Sequence, residues 1–432
     1  MAFLPFSLFA CLLASSAYHD YPLSFGRLDY AVSGIMLLGV SLCVYHRSHK
    51  NLLTRLLLLY YSMLLAGVTF ELGLRILFRQ PDTPWQPNTV REITLRVPLS
   101  GVAASGTFSV NRLGVRGDLF DFNDVADAND SVLCIGGSTT ECFYNTDETS
   151  WPWHLGTLLT DYCGTFVPVG NAGRGGHVAK HHLYQLRNFQ YASSFKYITV
   201  LCGWNDLSAA LYSEPSAPPR DFQREALLPG MNFSDTAQIP HVAFYRRTAC
   251  VRLLERVLLR RQTDPMNYVG WRAVVQDEYG TWVAERRRIR MAAVSAGVVE
   301  VAPLNLRAAI ESFRSDLQEI TKAVRPGQKL IFLTQPTLCR KDMESELEAR
   351  LWSSDGRRAF SPEITAEMLE QFNDITRSVC LENQLICIDL SESLSGNAEM
   401  FYDDCHFTDK GCRVVASLVA DAIKREIAAD GK

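Results

Sequence analysis

The first eighty residues consist of long apolar runs separated by short polar turns. The runs occupy residues 1–18, 30–45 and 56–78. Each approaches the roughly 20 residues that a helix needs to cross a bilayer. The charged residues Glu71 and Arg75 interrupt the third run, but they lie one helical turn apart and can neutralise each other. The pattern predicts a membrane anchor at 1–79 with two or three transmembrane helices.

The loop between the second and third apolar runs carries cations. Residues 46–50 read His-Arg-Ser-His-Lys, and Arg55 follows shortly after. Such loops stay in the cytoplasm, so everything after Phe78 is expected on the outer, periplasmic side of the cell membrane. The small residues at 15–17 also allow the first run to be a cleaved signal peptide, which leaves this placement unchanged.

Beyond residue 130 the apolar pattern changes to five short runs, each followed by a turn and a helical pattern. The runs are residues 131–135, 166–169, 197–202, 329–334 and 384–390. They are continuously apolar instead of alternating, which suits strands of a parallel sheet that is covered by helices on both faces. The sequence therefore predicts a three-layer α/β/α domain at 131–432.

Two further segments surround this pattern. Residues 80–130 read as a linker followed by a small β-rich lead-in, because hydrophobicity alternates between turn signals at Asn111 and Gly117. Residues 207–328 form a long insertion between the third and fourth predicted strands. Its cationic segments, 245–261 and 286–290, are interpreted as solvated helices packed on the domain. The alternative is a lid, or a helix lying on anionic lipid.

Composition excludes several function classes. The 432 residues carry a formal net charge of −4, with no global basic field for nucleic acid. The twelve cysteines form no CxxC pair and no Cys/His cluster with zinc spacing. We therefore expect no nucleic-acid partner, no metal and no cofactor.

Four short polar or glycine-rich blocks follow predicted strands, where open α/β sheets place their sites. They are residues 136–140 (Gly-Gly-Ser-Thr-Thr), 171–177 (Asn-Ala-Gly-Arg-Gly-Gly-His), 203–206 (Gly-Trp-Asn-Asp) and 403–406 (Asp-Asp-Cys-His). A serine on a tight strand-to-helix turn exposes its hydroxyl. A histidine can take the serine proton, and an aspartate three residues earlier can orient the ring. Each block alone is common, but all four in this order point to serine catalysis.

The four blocks resemble those of the SGNH (GDSL-type) hydrolase superfamily, over residue 131 to the C-terminus. The Gly-Gly-Ser-Thr-Thr-Glu-Cys stretch at 136–142 resembles membrane-anchored bacterial members more narrowly. The resemblance implies a flavodoxin-like five-stranded parallel sheet. It also implies Ser138 as nucleophile, His406 as base and Asp403 as the residue that orients His406.

The same resemblance implies an oxyanion hole. Its donors would be the backbone N–H groups of Ser138 and Gly176 and the side chain of Asn205. One departure is the residue before the nucleophile, which is usually Asp in the family and is Gly137 here. That Asp is not a triad member, so the departure affects closeness to the standard lipases and esterases, not the triad.

We expect a serine esterase that removes acetyl or another short acyl group from an envelope glycan outside the cytoplasm. An O-acyltransferase on such a glycan uses the same residues if a sugar hydroxyl replaces water. A lipase or lysophospholipase is a further alternative, suggested by the cationic helix at 245–261. A catalytically inactive glycan-binding module is the alternative from another class. Retention of the complete residue set argues against it.

Two cysteines adjoin the predicted catalytic residues. Cys142 lies about one helical turn after Ser138, and Cys405 immediately precedes His406. Catalytic geometry should bring both to one rim of the site, where an oxidising compartment favours a Cys142–Cys405 disulfide. The alternatives are two free thiols, or a local pair of Cys405 with Cys412.

Overall fold

The computed structural model describes residues 83–85, 87–212, 280–354 and 358–430, with scattered positions of a helical segment between 54 and 69. Most of the predicted anchor at 1–79 and the whole cationic segment at 245–261 lie outside these residues. Within the part of the chain that is described, no helix is long and apolar enough to cross a membrane. Everything described from residue 83 onward belongs to one compact unit.

Strands and helices alternate along most of this unit. The strands are β1 (Thr89–Thr94), β2 (Ser105–Val110), β3 (Val132–Gly136), β4 (Val169–Asn171), β5 (Tyr197–Leu201), β6 (Val299–Glu300), β7 (Lys329–Leu333), β8 (Ala359–Phe360) and β9 (Ile386–Ile388). The helices before the insertion are α1 (Phe122–Asp127), α2 (Ser138–Glu141), α3 (Trp151–Cys163), α4 (Ala179–Asn188) and α5 (Trp204–Tyr212). The later helices are α6 (Thr281–Ser295), α7 (Arg307–Ala323), α8 (Ser345–Glu348), α9 (Pro362–Glu382), α10 (Leu390–Leu394) and α11 (Asp409–Asp430).

The central sheet confirms the predicted five parallel strands, in the order β4-β3-β5-β7-β9. This is the order that a flavodoxin-like fold has. The second strand begins at Val169, three residues later than the start predicted at 166. The reason is local: Phe166 is 47% exposed, and the N–H of Val167 donates to the Thr160 hydroxyl of α3 at 3.0 Å. These residues therefore end the turn after α3 and do not pair with β3.

Both faces of the sheet are buried, which explains the continuous apolar runs. One face carries Leu133, Ile135, Ile198, Val200, Leu330 and Phe332, and it packs against α4, α5, α7 and α9. The opposite face carries Val132, Cys134, Tyr197, Leu201, Ile331 and Leu333, and it packs against α3 and α11. In α11 the buried positions 412, 415, 416, 419, 420 and 423 recur every three or four residues, as an amphipathic helix requires. The layers are helix, sheet and helix.

The lead-in contains an antiparallel hairpin formed by β1 and β2. Its apolar side chains join a separate cluster that includes Phe143 and Tyr144, just after α2. Val283 of α6 and Tyr402, four residues before His406, belong to the same cluster. The hairpin and the end of the insertion thus pack beside the two blocks that carry Ser138 and His406.

The arginine run at 286–290 forms part of α6 and is mostly turned inward. Arg286 donates to the backbone carbonyl of Ser354. Arg287 and Arg290 donate to the carbonyls of Arg350, Tyr402, Ser353 and Phe360, at 2.7–3.0 Å. Only Arg288 points outward, onto Glu285. The run therefore packs on the domain, but it is not the solvated face that was expected, because Arg286, Arg287 and Arg290 donate to the protein's own backbone carbonyls.

Candidate active site

Ser138 lies where the sheet passes directly into a helix. β3 ends at Gly136, Gly137 is extended (φ −81°, ψ −152°), and Ser138 opens the one-turn helix α2. The Ser138 Oγ lies 2.7 Å from Nε2 of His406, although 268 residues separate them in the chain. The predicted nucleophile and its predicted base are therefore in direct hydrogen-bond contact.

The second ring nitrogen of His406 contacts Asp403. Nδ1 lies 2.7 Å from Oδ2 and 2.9 Å from Oδ1 of the carboxylate. The Asp403 side chain is fully buried, and its Oδ1 accepts the backbone N–H groups of Cys405 and His406 at 3.1 and 2.9 Å. These bonds fix the carboxylate, which in turn fixes the ring.

The electrostatics of this pair suit a general base. Burial alone would raise the pKa of Asp403, but the charge and hydrogen bonds of His406 outweigh it and hold that pKa below its ordinary value. Burial alone would lower the pKa of His406, but the Asp403 carboxylate outweighs it and raises that pKa. Asp403 is therefore ionised and His406 becomes a stronger base.

Trp352 belongs to this arrangement, although no motif in the sequence indicated it. Its Nε1 donates to Asp403 Oδ2 at 2.9 Å, and its backbone N–H donates to Asp404 at 2.7 Å. Its indole lies 20° from the plane of the His406 ring, with centroids 6.2 Å apart. Trp352 lies 51 residues before Asp403 and in no recognisable motif. Its contact with Asp403 depends on the packing of α6, whose Arg290 donates to the carbonyl of the neighbouring Ser353.

Asn205 approaches the nucleophile block closely. Its Nδ2 donates to the carbonyl of His177 at 2.9 Å, which links the second and third blocks. A Cβ at position 137 would lie 2.5 Å from this same Nδ2. A side chain at position 137 would therefore have to displace the Asn205 amide.

The second block packs directly on α2. Asn171 Nδ2 donates to the carbonyl of Thr140 at 2.8 Å, and its Oδ1 accepts the N–H of Gly173 at 2.9 Å. A Cβ at Gly173 would lie 2.2 Å from the backbone nitrogen of Glu141, so the position has no room for one. Gly176 follows in an exposed turn, with φ of +77°.

A cleft opens beside Ser138, lined by described residues of three blocks and of the ends of β5 and β7. They are Gly137, Ser138, Thr139, His177, Leu201, Cys202, Gly203, Trp204, Asn205 and Gln335. Gly176, the residue before His177, is not among them. Of the site residues predicted from the sequence, Ser138, His406 and Asp403 are joined by hydrogen bonds. Asn205 lines the same cleft as Ser138. Gly176 precedes a cleft residue in the sequence but does not itself line the cleft.

Arg116 is a second residue that sequence reasoning missed. Its fully buried guanidinium donates to the carbonyls of Glu141, Cys142 and Asn145 at 2.5–2.6 Å, and its Nε pairs with Asp147 at 3.0 Å. Carbonyls at the end of a helix lack intrahelical donors, and a cation satisfies them. Arg116 therefore holds the C-terminal end of the helix that begins with Ser138.

The expected Cys142–Cys405 disulfide is not formed, and the cysteines that the structure describes are free thiols. Cys405 Sγ lies 3.8 Å from His406 Nδ1. Cys142 Sγ instead contacts Cys412 Sγ of α11 at 3.9 Å. The prediction was wrong because Cys142 ends α2 in a left-handed conformation (φ +53°), and its thiol meets α11 and not the histidine loop.

Asp403, Cys405 and His406 have ligand atoms close enough together for a metal ion. However, His406 uses Nδ1 on Asp403 and Nε2 on Ser138. No ring nitrogen remains for an ion, so the chemistry of this donor set fits proton transfer and not metal binding.

Comparison with known proteins supplies a family. A sequence profile of the GDSL-like Lipase/Acylhydrolase family matches residues 134–414. No curated protein matches the chain in sequence. Among solved structures, a lipase/acylhydrolase from Enterococcus faecalis is similar, with 14% identity over 69% of this chain and 96% of that one, at a TM-score of 0.33. A catalytic variant of an acetylxylan esterase from Geobacillus stearothermophilus is also similar, with 10% identity over 68% and 93%, at a TM-score of 0.34.

The His406–Asp403 pair gives a prediction about titration. In Asp403→Asn the carboxylate charge is lost while burial remains, so the pKa of His406 should fall relative to the wild type. NMR titration of ring-labelled histidine measures this directly. The neutral ring, which alone can accept a proton, should disappear in the wild type as the pH drops through a pKa above the ordinary value of about 6.5. Asp374→Asn, at an exposed carboxylate of α9, is the control. An unchanged His406 pKa in Asp403→Asn would contradict the electrostatic account.

Proposed function

The chain belongs to the GDSL-like lipase/acylhydrolase family and is an ester-hydrolysing enzyme, and we propose that Ser138, His406 and Asp403 are its catalytic residues. The observation that carries this proposal is the continuous hydrogen-bond chain from Ser138 Oγ through both nitrogens of His406 to the buried Asp403, with 2.7 Å at each step. Such a chain is what activates a serine hydroxyl in acyl transfer.

The geometry supports the following sequence of steps. Ser138 Oγ attacks the ester carbonyl while His406 Nε2 takes its proton. His406 then protonates the departing alcohol, which leaves an acyl group on Ser138. Water enters, gives its proton to His406 and releases the acid. Asp403 stays ionised throughout and stabilises the charged ring.

The oxyanion of the tetrahedral intermediate needs donors on the side of Ser138 opposite to His406. We assign the backbone N–H groups of Ser138 and Gly176 and the amide of Asn205. One N–H of Asn205 is engaged with the His177 carbonyl, and an amide nitrogen has a second N–H to offer. The bond to His177 therefore orients Asn205 without using up its capacity as a donor.

The acyl group that we propose is acetyl or another short group. The cleft beside Ser138 has room for about one water molecule, about 10 Å³. The space formed by the described residues thus suits a short acyl group better than a long fatty chain.

The alcohol must leave from the side of His406, since His406 protonates it. Trp352 lies on this side, and Trp282 of α6 packs edge-on against it, with ring centroids 4.9 Å apart. Both indoles are half-buried, and the Arg286 guanidinium lies 5.4 Å from the Trp352 ring. Aromatic rings with polar groups beside them suit an amphipathic alcohol such as a sugar, whose C–H faces pack on the rings. This supports a glycan ester as substrate.

We further propose that the enzyme is anchored in the cell membrane, with its catalytic domain outside the cytoplasm. The apolar runs at 1–78 and the cationic loop at 46–50 support this, as does the Gly-Gly-Ser-Thr-Thr-Glu-Cys stretch at 136–142. A surface-anchored enzyme has ready access to an envelope glycan.

Topology can be measured with protease added to intact spheroplasts. We expect fragments from the region after Phe78 to be released, while a tag inserted in the 46–50 loop stays protected. Detergent lysis should expose that tag, which controls for protease activity. A shielded catalytic domain with a cleaved loop would reverse the proposed orientation.

The catalytic assignment predicts a graded series of variants. An organophosphonate probe should label the wild type, and Ser138→Ala should lose both labelling and ester turnover. Asn205→Ala should keep labelling but lose roughly 10²–10³ in kcat, since it removes one oxyanion donor. Ser393→Ala, at an exposed serine of α10, is the control and should match the wild type. Full turnover by Ser138→Ala would end the assignment.

The proposed substrate predicts that hydrolysis rates differ with acyl length and that KM depends on the sugar part of the ester. Acetylated oligosaccharides and p-nitrophenyl acetate should both be hydrolysed, and octanoyl esters poorly. Trp282→Ala should raise KM for the oligosaccharide about tenfold, the effect of roughly 1.4 kcal/mol of lost contact, with little change for p-nitrophenyl acetate. Tyr162→Ala, an exposed aromatic of α3, should affect neither. Equal loss on both esters would point to a general effect on the triad and not to sugar binding.

A further inference from the structure

Two thiols that the proposed mechanism does not use meet behind the nucleophile. Cys142 Sγ lies 3.9 Å from Cys412 Sγ, across 270 residues of sequence. Both side chains are buried, at 5% and 0% exposure. Cys142 caps the C-terminal end of α2, which begins at Ser138, and Cys412 lies in the first turn of α11, six residues after His406. The pair joins the two segments that carry Ser138 and His406.

The contact needs little movement to become covalent. A disulfide requires a sulfur separation of about 2.05 Å, so roughly 2 Å remains to be closed. The Cys142 thiol also donates to the carbonyl of Thr139 at 3.4 Å, within its own helical turn. The position of the Cys142 thiol is therefore defined by α2. A rotation of the two side chains and a small shift of α11 would bring the two sulfur atoms to bonding distance.

The surroundings favour the reactive form of Cys142. Burial alone would raise the pKa of its thiol, but the hydrogen bond with Cys412 and the charge of Arg116 outweigh burial and lower that pKa. Arg116 is held at this place by its bond to the Cys142 carbonyl at 2.5 Å. The thiolate is the attacking species in disulfide exchange, so these surroundings favour Cys142 as the attacking thiol once α11 lies near it, whereas before docking either thiol can start the exchange.

We propose that Cys142 and Cys412 form a disulfide as the chain folds, by exchange with a protein or small-molecule disulfide. The Cys142 thiolate attacks one sulfur of the donor, whose S–S bond breaks and releases a thiolate. Cys412 gives its proton to that thiolate and attacks the Cys142 sulfur, which releases the second half of the donor. The two cysteines lose two electrons, and the donor disulfide is reduced to two thiols. Since both thiols are buried in the folded chain, exchange precedes the docking of α11.

The bridge would fasten the nucleophile turn to the helix that follows the histidine. In the cell, formation of this disulfide depends on the proposed location outside the cytoplasm, where disulfides persist. As a property of the fold it can be tested on the purified chain. It also replaces the pairing with Cys405, whose thiol adjoins the His406 ring instead.

Peptide mapping of the full-length chain tests the bridge. The chain is reduced, unfolded, and refolded in a mixture of reduced and oxidised glutathione, and the remaining thiols are then alkylated. Cleavage after Lys, Arg and Glu isolates each cysteine, as peptides 142–148 and 411–413. We expect these two peptides joined, and separated by a reductant. Alkylation of both cysteines, or a link from either of them to another cysteine, would overturn the proposal.

Thermal unfolding gives a second readout. Oxidised wild type should unfold on the order of 5 °C or more above the reduced protein. That difference should vanish in Cys142→Ser and in Cys412→Ser, and persist in Cys163→Ser, at the half-buried end of α3. The same midpoint for oxidised and reduced wild type would contradict the bridge. Neither readout uses ester turnover, so a missing bridge with an active enzyme overturns this inference alone. Conversely, an active Ser138→Ala variant overturns the catalytic proposal alone.

Discussion

The site is organised around one buried charge. A carboxylate without access to water must be matched by donors or it destabilises the fold. Asp403 is matched by the ring and backbone of His406, the backbone of Cys405 and the indole of Trp352. These donors come from the C-terminal segment and from the segment before β8. The hydrogen bonds to Asp403 therefore fix the histidine ring and also attach the loop that carries Trp352. The inward-facing arginines of α6 hold the same loop through the Ser353 carbonyl.

The parallel sheet brings the remaining residues to the same edge. β3 and β5 are neighbours, so the blocks that follow them end side by side. A Cβ at Gly137 would meet the Asn205 side-chain amide at 2.5 Å, and a Cβ at Gly173, which follows β4, would meet the backbone nitrogen of Glu141 at 2.2 Å. A side chain at position 137 would have to displace the Asn205 amide, which donates to the His177 carbonyl. The glycine at this position thus leaves the proposed oxyanion donor in place.

Much of this could be predicted from the sequence, because it rests on local patterns. Continuous apolar runs identify strands buried on both faces, and a serine, an amide and a histidine after those strands identify the edge where they meet. The positions of Arg116 and Trp352 could not be predicted, since their partners are backbone and side-chain atoms that only packing brings near. The partner of Cys142 was mistaken for a similar reason. Sequence spacing placed it near the histidine loop, whereas the left-handed turn that ends α2 brings its thiol to α11.

In the proposed mechanism Ser138 attacks the ester, and three blocks of the chain jointly hold the oxyanion. A crystal structure of the chain after reaction with an organophosphonate tests it most directly, because the phosphorus mimics the tetrahedral carbon. The account predicts phosphorus on Ser138 Oγ, with one phosphonyl oxygen about 2.7–3.1 Å from the backbone nitrogens of Ser138 and Gly176 and from Asn205 Nδ2. Phosphorus on another residue, or a phosphonyl oxygen turned toward solvent away from all three donors, would contradict it.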